Sequence, residues 1–155
     1  MRASVLERHG PVYEDECVEL FWQGEGTDGD YLEVVVNPLG TLYAASVHNP
    51  DGSRATWSVS PGAEPEGLLV RVFGEPARAV PREWTSWGAE IVVPWPSLPG
   101  RGAPPPPGTL LRANLFRIAR GRSARFECLS PTLRSAPPDF HVPERFAFLL
   151  IPSLI

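Results

Sequence analysis

The sequence predicts an all-β protein, an antiparallel β-sandwich or open barrel. Three observations carry this expectation. Eight or so short runs have strand composition, and turn residues separate them. No segment of useful length shows a convincing helical period. The chain also holds 19 Pro and 14 Gly in 155 residues, a density that breaks helices and favours short strands and loops. The length fits a single domain over residues 1–155, and a hydrophobic content of 43% is enough to bury a core. There are no internal repeats.

The elements follow in order. In "CVELFWQ" (17–23), alternation puts Cys17, Glu19 and Phe21 on one face and Val18, Leu20 and Trp22 on the other. "YLEVVVN" (31–37) is aromatic and β-branched, a strand composition, and "TLYAASVHN" (41–49) follows it. Between them "NPLG" (37–40) reads as a tight turn, since Pro presets the turn and Gly accepts positive φ, so the two runs make a hairpin. "NPDG" (49–52) is a second such turn. "WSVS" (57–60), "LLVRVFG" (68–74) and "GAEIVVPW" (88–95) are further strands, the last ended by Pro94. "RGAPPPPG" (101–108) is a stiff extended loop, too short to link domains. "TLLRANLFRIAR" (109–120) is helical by composition but also alternates as a strand would. "ARFECLS" (124–130) pairs with it across "RGRS", and "RFAFLLI" (145–151) closes the chain.

Composition excludes several functions. The formal net charge is -4, so electrostatics does not favour nucleic acid. All basic residues are Arg, which removes any lysine nucleophile, Schiff base or ligand. No apolar run is long enough to span a membrane. The first residues, "MRASVLERHG", hold no apolar signal core, which suits a cytoplasmic protein or equally a trimmed fragment of an exported one. Cys17 and Cys128 lie far apart, and with three scattered His they match no zinc spacing. Cys17 reads as a buried free thiol, although a disulfide stays open.

Four constellations could carry chemistry. "YEDEC" (13–17) gathers Glu14, Asp15 and Glu16, with Asp28 and Asp30 in the next loop. Such carboxylates can hold Ca²⁺, but a solvated acidic turn is the preferred reading and no EF-hand spacing is present. In "RANLFR" (112–117), strand alternation puts Arg112, Asn114 and Phe116 on one face and Leu115 and Arg117 on the other. Arg and Asn there offer donors suited to sugar hydroxyls or carboxylates, or merely a polar outer face. The five tryptophans, Trp22, Trp57, Trp84, Trp87 and Trp95, could stack on sugar rings, but most are expected to be structural. In "PPDFHVPERF" (137–146), Pro143 forces Val142 to be extended, so the segment bends into the last strand. His141 with Asp139 and Glu144 fits no metal template. A nucleophile such as Ser130 or Ser135 would meet it only by chance, so His141 is read as a hydrogen-bonded loop residue.

The blocks "VYEDECVELF", "YLEVVVNPLGTLY", "AEIVVPWPSL", "LRANLFRI" and "LSPT…PDFHVPERFAFL", in that order, resemble carbohydrate-binding modules of the family 9 type, within the DOMON-like group of β-sandwiches. The resemblance runs from about Pro11 to the C-terminus. It implies an antiparallel sandwich of jelly-roll or immunoglobulin-like layout. It also implies carbohydrate binding, commonly accessory to glycoside hydrolases in polysaccharide breakdown. Sugar binders of this type clamp a pyranose between two rings. Tyr13 stands where the first ring belongs, in place of the more usual Trp, and Phe140 stands at the second. Glu19 corresponds to the glutamate that bonds sugar hydroxyls. Arg125, or Arg122, could meet the arginine contact, with Arg117 reaching hydroxyls and His141 at the rim. Phe116 replaces a polar amide of the sugar binders, and Leu133, Arg134 and Ser135 stand where an Asn is usual. Strands that normally precede "VYEDECVELF" are missing, which would leave an unpaired edge. A short form, a fragment, or a second copy completing the sheet as a homodimer would each account for this.

Two functions are weighed. One is a non-catalytic module for a mono- or oligosaccharide, with no cofactor unless Ca²⁺ is held. The other is a structural or interaction sandwich that has lost its sugar. Haem is disfavoured, because only His48 and His141 could plausibly ligate it. An enzyme is disfavoured too, since no pair of carboxylates stands out as a hydrolytic couple.

Overall fold

The computed structural model describes residues 3–24, 27, 29–76, 84–98, 102–134 and 138–153. Asp28 and Ser135 of the sequence-derived clusters lie outside these residues. The described chain is nearly all β: β1 (Cys17–Gln23), β2 (Asp30–Val36), β3 (Leu42–His48), β4 (Ser58–Pro61), β5 (Leu69–Pro76), β6 (Trp84–Val92), β7 (Leu110–Arg120), β8 (Ala124–Cys128) and β9 (Ala147–Leu150). Only single 3-10 turns interrupt them, at Val12–Glu14, Trp95–Ser97 and Pro143–Arg145.

All pairings are antiparallel. The large sheet runs β4-β3-β2-β1-β7-β8. Strand β9 pairs with the first half of β7 (Leu110–Ala113) and β8 with its second half (Phe116–Arg120). Strands β5 and β6 form a separate hairpin. The ambiguous stretch 109–120 is thus a long strand, as its alternation allowed. Its side chains are claimed by two cores at a period of 2, which a helix could not satisfy.

Strand β1 lies between β2 and β7, so both its edges are paired. On one face of the sheet, Cys17, Phe21, Tyr31, Val35, Phe116 and Ile118 form a core closed by Val12 and Phe146. On the other face, Trp22, Leu32, Val34, Val36, Leu111 and Ala113 form a second core. The β5–β6 hairpin covers this second core with Val70, Val72, Ala89 and Ile91, making the sandwich. Strand β6 begins at Trp84, earlier than the sequence suggests, and continues through Gly88. A Cβ at Gly88 would lie 2.7 Å from the Phe73 ring and would displace its exposed end, whereas at Gly74 (φ +152°) a Cβ would lie 2.3 Å from the Ser86 carbonyl oxygen, so glycine is required there.

The "NPLG" turn forms as expected, with Gly40 at φ +78°. Asn37 organises it. Its Oδ1 accepts the backbone N–H groups of Leu39 (3.0 Å) and Thr41 (2.9 Å). Its Nδ2 donates to the Val5 carbonyl and to Asp15 Oδ2, both at 2.9 Å. Asp15 also accepts from the Ser4 and Val5 backbone N–H groups and from the Ser4 hydroxyl. The acidic turn is therefore not solvated as expected: Asp15 and Glu16 are buried, and only Glu14 is exposed. Their carboxylates are held because backbone and side-chain donors replace water.

Asn37→Ala leaves Asp15 short of a donor and two turn N–H groups without their acceptor. It should lower stability by roughly 2–4 kcal/mol in urea denaturation. A loss below about 0.5 kcal/mol would show that the turn holds without this network.

Candidate functional site

A cavity of about 550 Å³ opens on the first core's side of the large sheet. Four of the six sequence-derived site residues line it: Tyr13, Glu19, Phe140 and His141. Tyr13, in the turn before β1, is 43% exposed and meets Tyr43 edge-on, with centroids 5.6 Å apart. Its carbonyl accepts the Arg120 Nη2 hydrogen at 3.1 Å. Phe140 lies in the bend before β9 and stacks on Phe116, with centroids 4.2 Å apart and planes 16° apart. Phe126 of β8 meets Phe140 edge-on. Phe116, standing where an amide is usual, thus backs an aromatic wall.

Two buried carboxyl groups join these rings. Glu19 of β1 is 4% exposed and Glu33 of β2 is 5% exposed. Register explains their meeting: Phe21 pairs with Glu33, so Glu19 and Glu33 share the face of β1 and β2 that looks into the cavity. Burial pushes the Glu19 carboxyl up to about 7, against the Cys17 thiol, which donates to its Oε1 at 3.5 Å, and against the charge of Arg120. Burial pushes Glu33 up to about 8, and the charge of Glu19 adds to this while Arg54 opposes it. Among the described residues Glu33 has no hydrogen-bond partner.

Arg54, Trp57, Tyr43 and Arg120 complete the lining, and sequence reasoning did not assign them to a site. The Arg54 guanidinium lies 4.0 Å from the Trp57 ring centre and donates to Asp139 at 2.8 Å. Asp139 in turn accepts the His141 backbone N–H at 3.1 Å. His141 Nδ1 and the Tyr31 hydroxyl are 2.6 Å apart, and Asn49 donates to the His141 carbonyl. His141 is therefore the bonded loop residue that the sequence suggested. Burial first, and Arg54 second, push its imidazole down to about 4, so it is neutral at pH 7.

The remaining two residues, Arg117 and Arg125, are on the opposite face of the sheet. Arg117 pairs across from Val18, and Arg125 from Ala119, both out of phase with Phe116 and Phe126. Alternation places them with Glu16 and Trp87 in a separate cavity. Cys17 and Cys128 are both free thiols, buried and exposed respectively. Among the described residues, no three His, Cys, Asp or Glu side chains gather as a metal site would need.

An antiparallel sandwich with an aromatic, carboxyl-floored cavity on one sheet face is the build of a small-ligand binding domain. Comparison gives the class: the profile of carbohydrate-binding family 9 matches residues 1–151, and the chain belongs to that family of carbohydrate-binding modules. A crystal structure of a Bacteroides uniformis protein, provisionally assigned to carbohydrate binding, is similar in fold, with a TM-score of 0.71 and 21% identity. The match covers 96% of this chain and 66% of that protein, so the chain spans about two thirds of its length. A search of curated proteins returned no significant match.

The buried carboxyls give stability a definite pH dependence. Their folded pKa values are raised, so they are neutral and harmless below about 4.5, and stability falls as pH rises towards about 7 and 8. His141 has the opposite sign, its contribution being lost as pH falls from 6.5 through about 4. Glu33→Gln should therefore raise the melting temperature over wild type at pH 8.5 and do so much less at pH 5. A difference that stays constant across this range would contradict the buried, uncompensated carboxylate.

Proposed function

We propose that the chain is a non-catalytic sugar-binding module whose binding slot is the cavity between Tyr13 and Phe140. The observation that carries this is Glu33, a buried carboxyl group facing an aromatic-walled cavity with no hydrogen-bond partner among the described residues. A sugar hydroxyl, which both donates and accepts, supplies the missing partner, and the apolar ring face of a pyranose packs on aromatic walls. Glu19 accepts a second hydroxyl, while Arg54 and Arg120 balance the two carboxylates, which suits a neutral mono- or oligosaccharide. His141 supports the wall through Tyr31 and Asn49 and does not reach for the ligand. Family membership is compatible with a role alongside carbohydrate-degrading enzymes.

A second reading, an interaction sandwich, is favoured by one observation. Leu110, Phe148 and Leu150 are each more than half exposed beside one another on β7 and β9. A homodimer would cover this strip. Light scattering that reports a dimer, together with no response to any sugar, would favour that reading.

Titration with neutral mono- and disaccharides, followed by calorimetry or amide NMR, tests the slot. Binding should fall between micromolar and millimolar. Tyr13→Ala combined with Phe140→Ala should abolish it, and Glu33→Gln should weaken it about tenfold. Wild-type affinity in the double variant would remove the slot from consideration.

A further inference from the structure

The two arginines displaced from the slot point to a different site. On the hairpin-covered face of the large sheet, a second cavity of about 560 Å³ opens at the turn between β7 and β8. Arg117, Arg122 and Arg125 line it, with Trp87, Ser86 and Ser123. Among the described residues the one carboxylate in the lining, Glu16, is fully buried and already engaged. Its Oε1 accepts from Arg117 Nη2 at 2.9 Å and from the Trp87 indole N–H at 3.2 Å, and its Oε2 accepts the Arg120 backbone N–H at 3.0 Å. Glu16 thus fixes Arg117 and Trp87 in place and matches a single positive charge.

Arg122, in the turn, and Arg125, on β8, remain. Both are exposed. Arg122 makes no ion pair among the described residues, and Arg125 comes only to 3.9 Å of Glu127, a weak contact between exposed side chains. A local excess of positive charge in a chain of net charge -4 calls for an anionic occupant. Guanidinium forks match the oxygens of a carboxylate or phosphate in two parallel hydrogen bonds. The neighbouring indole and two serine hydroxyls are groups that suit a sugar ring and its hydroxyls. The volume is that of a small-ligand site.

We propose that this cavity is a second binding site, which takes an anionic saccharide with its carboxylate or phosphate held by Arg122 and Arg125. It is independent of the aromatic slot, because the two lie on opposite faces of the sheet.

The test uses the full chain and four probes: glucuronate, glucose 6-phosphate, glucose and inorganic phosphate, followed by amide and indole NMR shifts. At least one acidic sugar should shift Gly121, Arg122, Ser123 and the Trp87 indole, and more weakly as salt rises. The response to glucuronate against glucose 6-phosphate distinguishes a carboxylate from a phosphate ligand. Arg122→Ala with Arg125→Ala should weaken that binding about tenfold or more, whereas Tyr13→Ala with Phe140→Ala should leave it unchanged. Replacing both arginines by Lys, which keeps charge but loses the fork, should give an intermediate loss. Three results would each overturn the proposal: no acidic sugar binds at millimolar concentration, the double alanine variant binds like wild type, or inorganic phosphate binds as tightly as the acidic sugars. Loss of glucose binding alone would bear on the aromatic slot and leave this site standing.

Discussion

Strand β1 is paired on both edges and packed on both faces, and this double enclosure governs the rest of the molecule. Cys17, Glu19 and Phe21 face one core, and Trp22, with Val18 and Leu20 packed beside it, faces the other. The buried side chains of the strand therefore have little access to bulk water and must find other partners. Apolar residues meet that demand by packing. Glu19 meets it only in part, through the weak Cys17 thiol donor, and so its carboxyl is pushed up to about 7. Glu33 on the neighbouring strand meets it through no protein group. Two such costly residues at the centre of a sheet are tolerated because the cavity above them leaves room for water or a ligand. The carboxyl floor and the aromatic walls are thus one construction: the walls shape the opening, and the opening makes the floor affordable.

The polar anchors just before β1 set the geometry of that opening. Asp15 turns towards the N-terminal segment and the Asn37 turn, and Glu16 turns the other way, towards Arg117 and Trp87. With these two carboxylates fixed, the preceding turn has little freedom. Arg120 spans it from the end of β7, reaching the Tyr13 carbonyl at 3.1 Å and, at a longer 3.4 Å, that of Asp15. The Tyr13 ring is consequently positioned through its backbone, and the contact survives any change of aromatic type at that position. On the other wall, Phe140 depends on a side-chain stack with Phe116. The residue that departs from the usual sugar-binding pattern is the one that supports the wall.

Much of the fold was legible because it rests on local rules. The alternation of β1, the "NPLG" turn and the bend at Pro143 each follow from a few neighbouring residues, and each appears where expected. The start of β6 was less legible, because the strand runs on through Gly88, a residue that by itself suggests a strand end, while its pairing partner Phe73 lies on another strand. The acidic turn misled for a related reason: the donors that bury Asp15 and Glu16 come from Ser4, Val5, Asn37, Trp87, Arg117 and Arg120, all but the first two far away in sequence. At the candidate site, Tyr13, Glu19 and Phe140 could be read from the family resemblance, and His141 from the ionisable residues of the bend before β9. Glu33 carried a signal too, a lone charge within "YLEVVVN", but only the register Phe21 to Glu33 turns that charge towards Glu19. Arg54 and Trp57 reach the cavity from the segment before β4, which nothing local marks.

The placement of Arg117 shows how far a period of 2 alone can go. Its neighbours Phe116 and Ile118 face the aromatic slot, so Arg117 must face away, and the same parity sends Arg125 away while Phe126 stays. Strand β7 therefore supplies alternate side chains to two cavities, Ile118 and Arg120 to the slot, Arg117 and Ala119 to the basic pocket. Coupling between two ligands needs an element with two arrangements that both ligands bias. A strand paired on both edges and locked at Glu16 offers no second arrangement, since moving it by one residue would reverse every side chain in both cores. If both proposed sites bind as argued, occupancy of one would leave the affinity of the other unchanged. A polymer carrying both neutral and acidic units would be held by the sum of two separate contacts, its avidity set by whether it can reach around the sheet edge at β8.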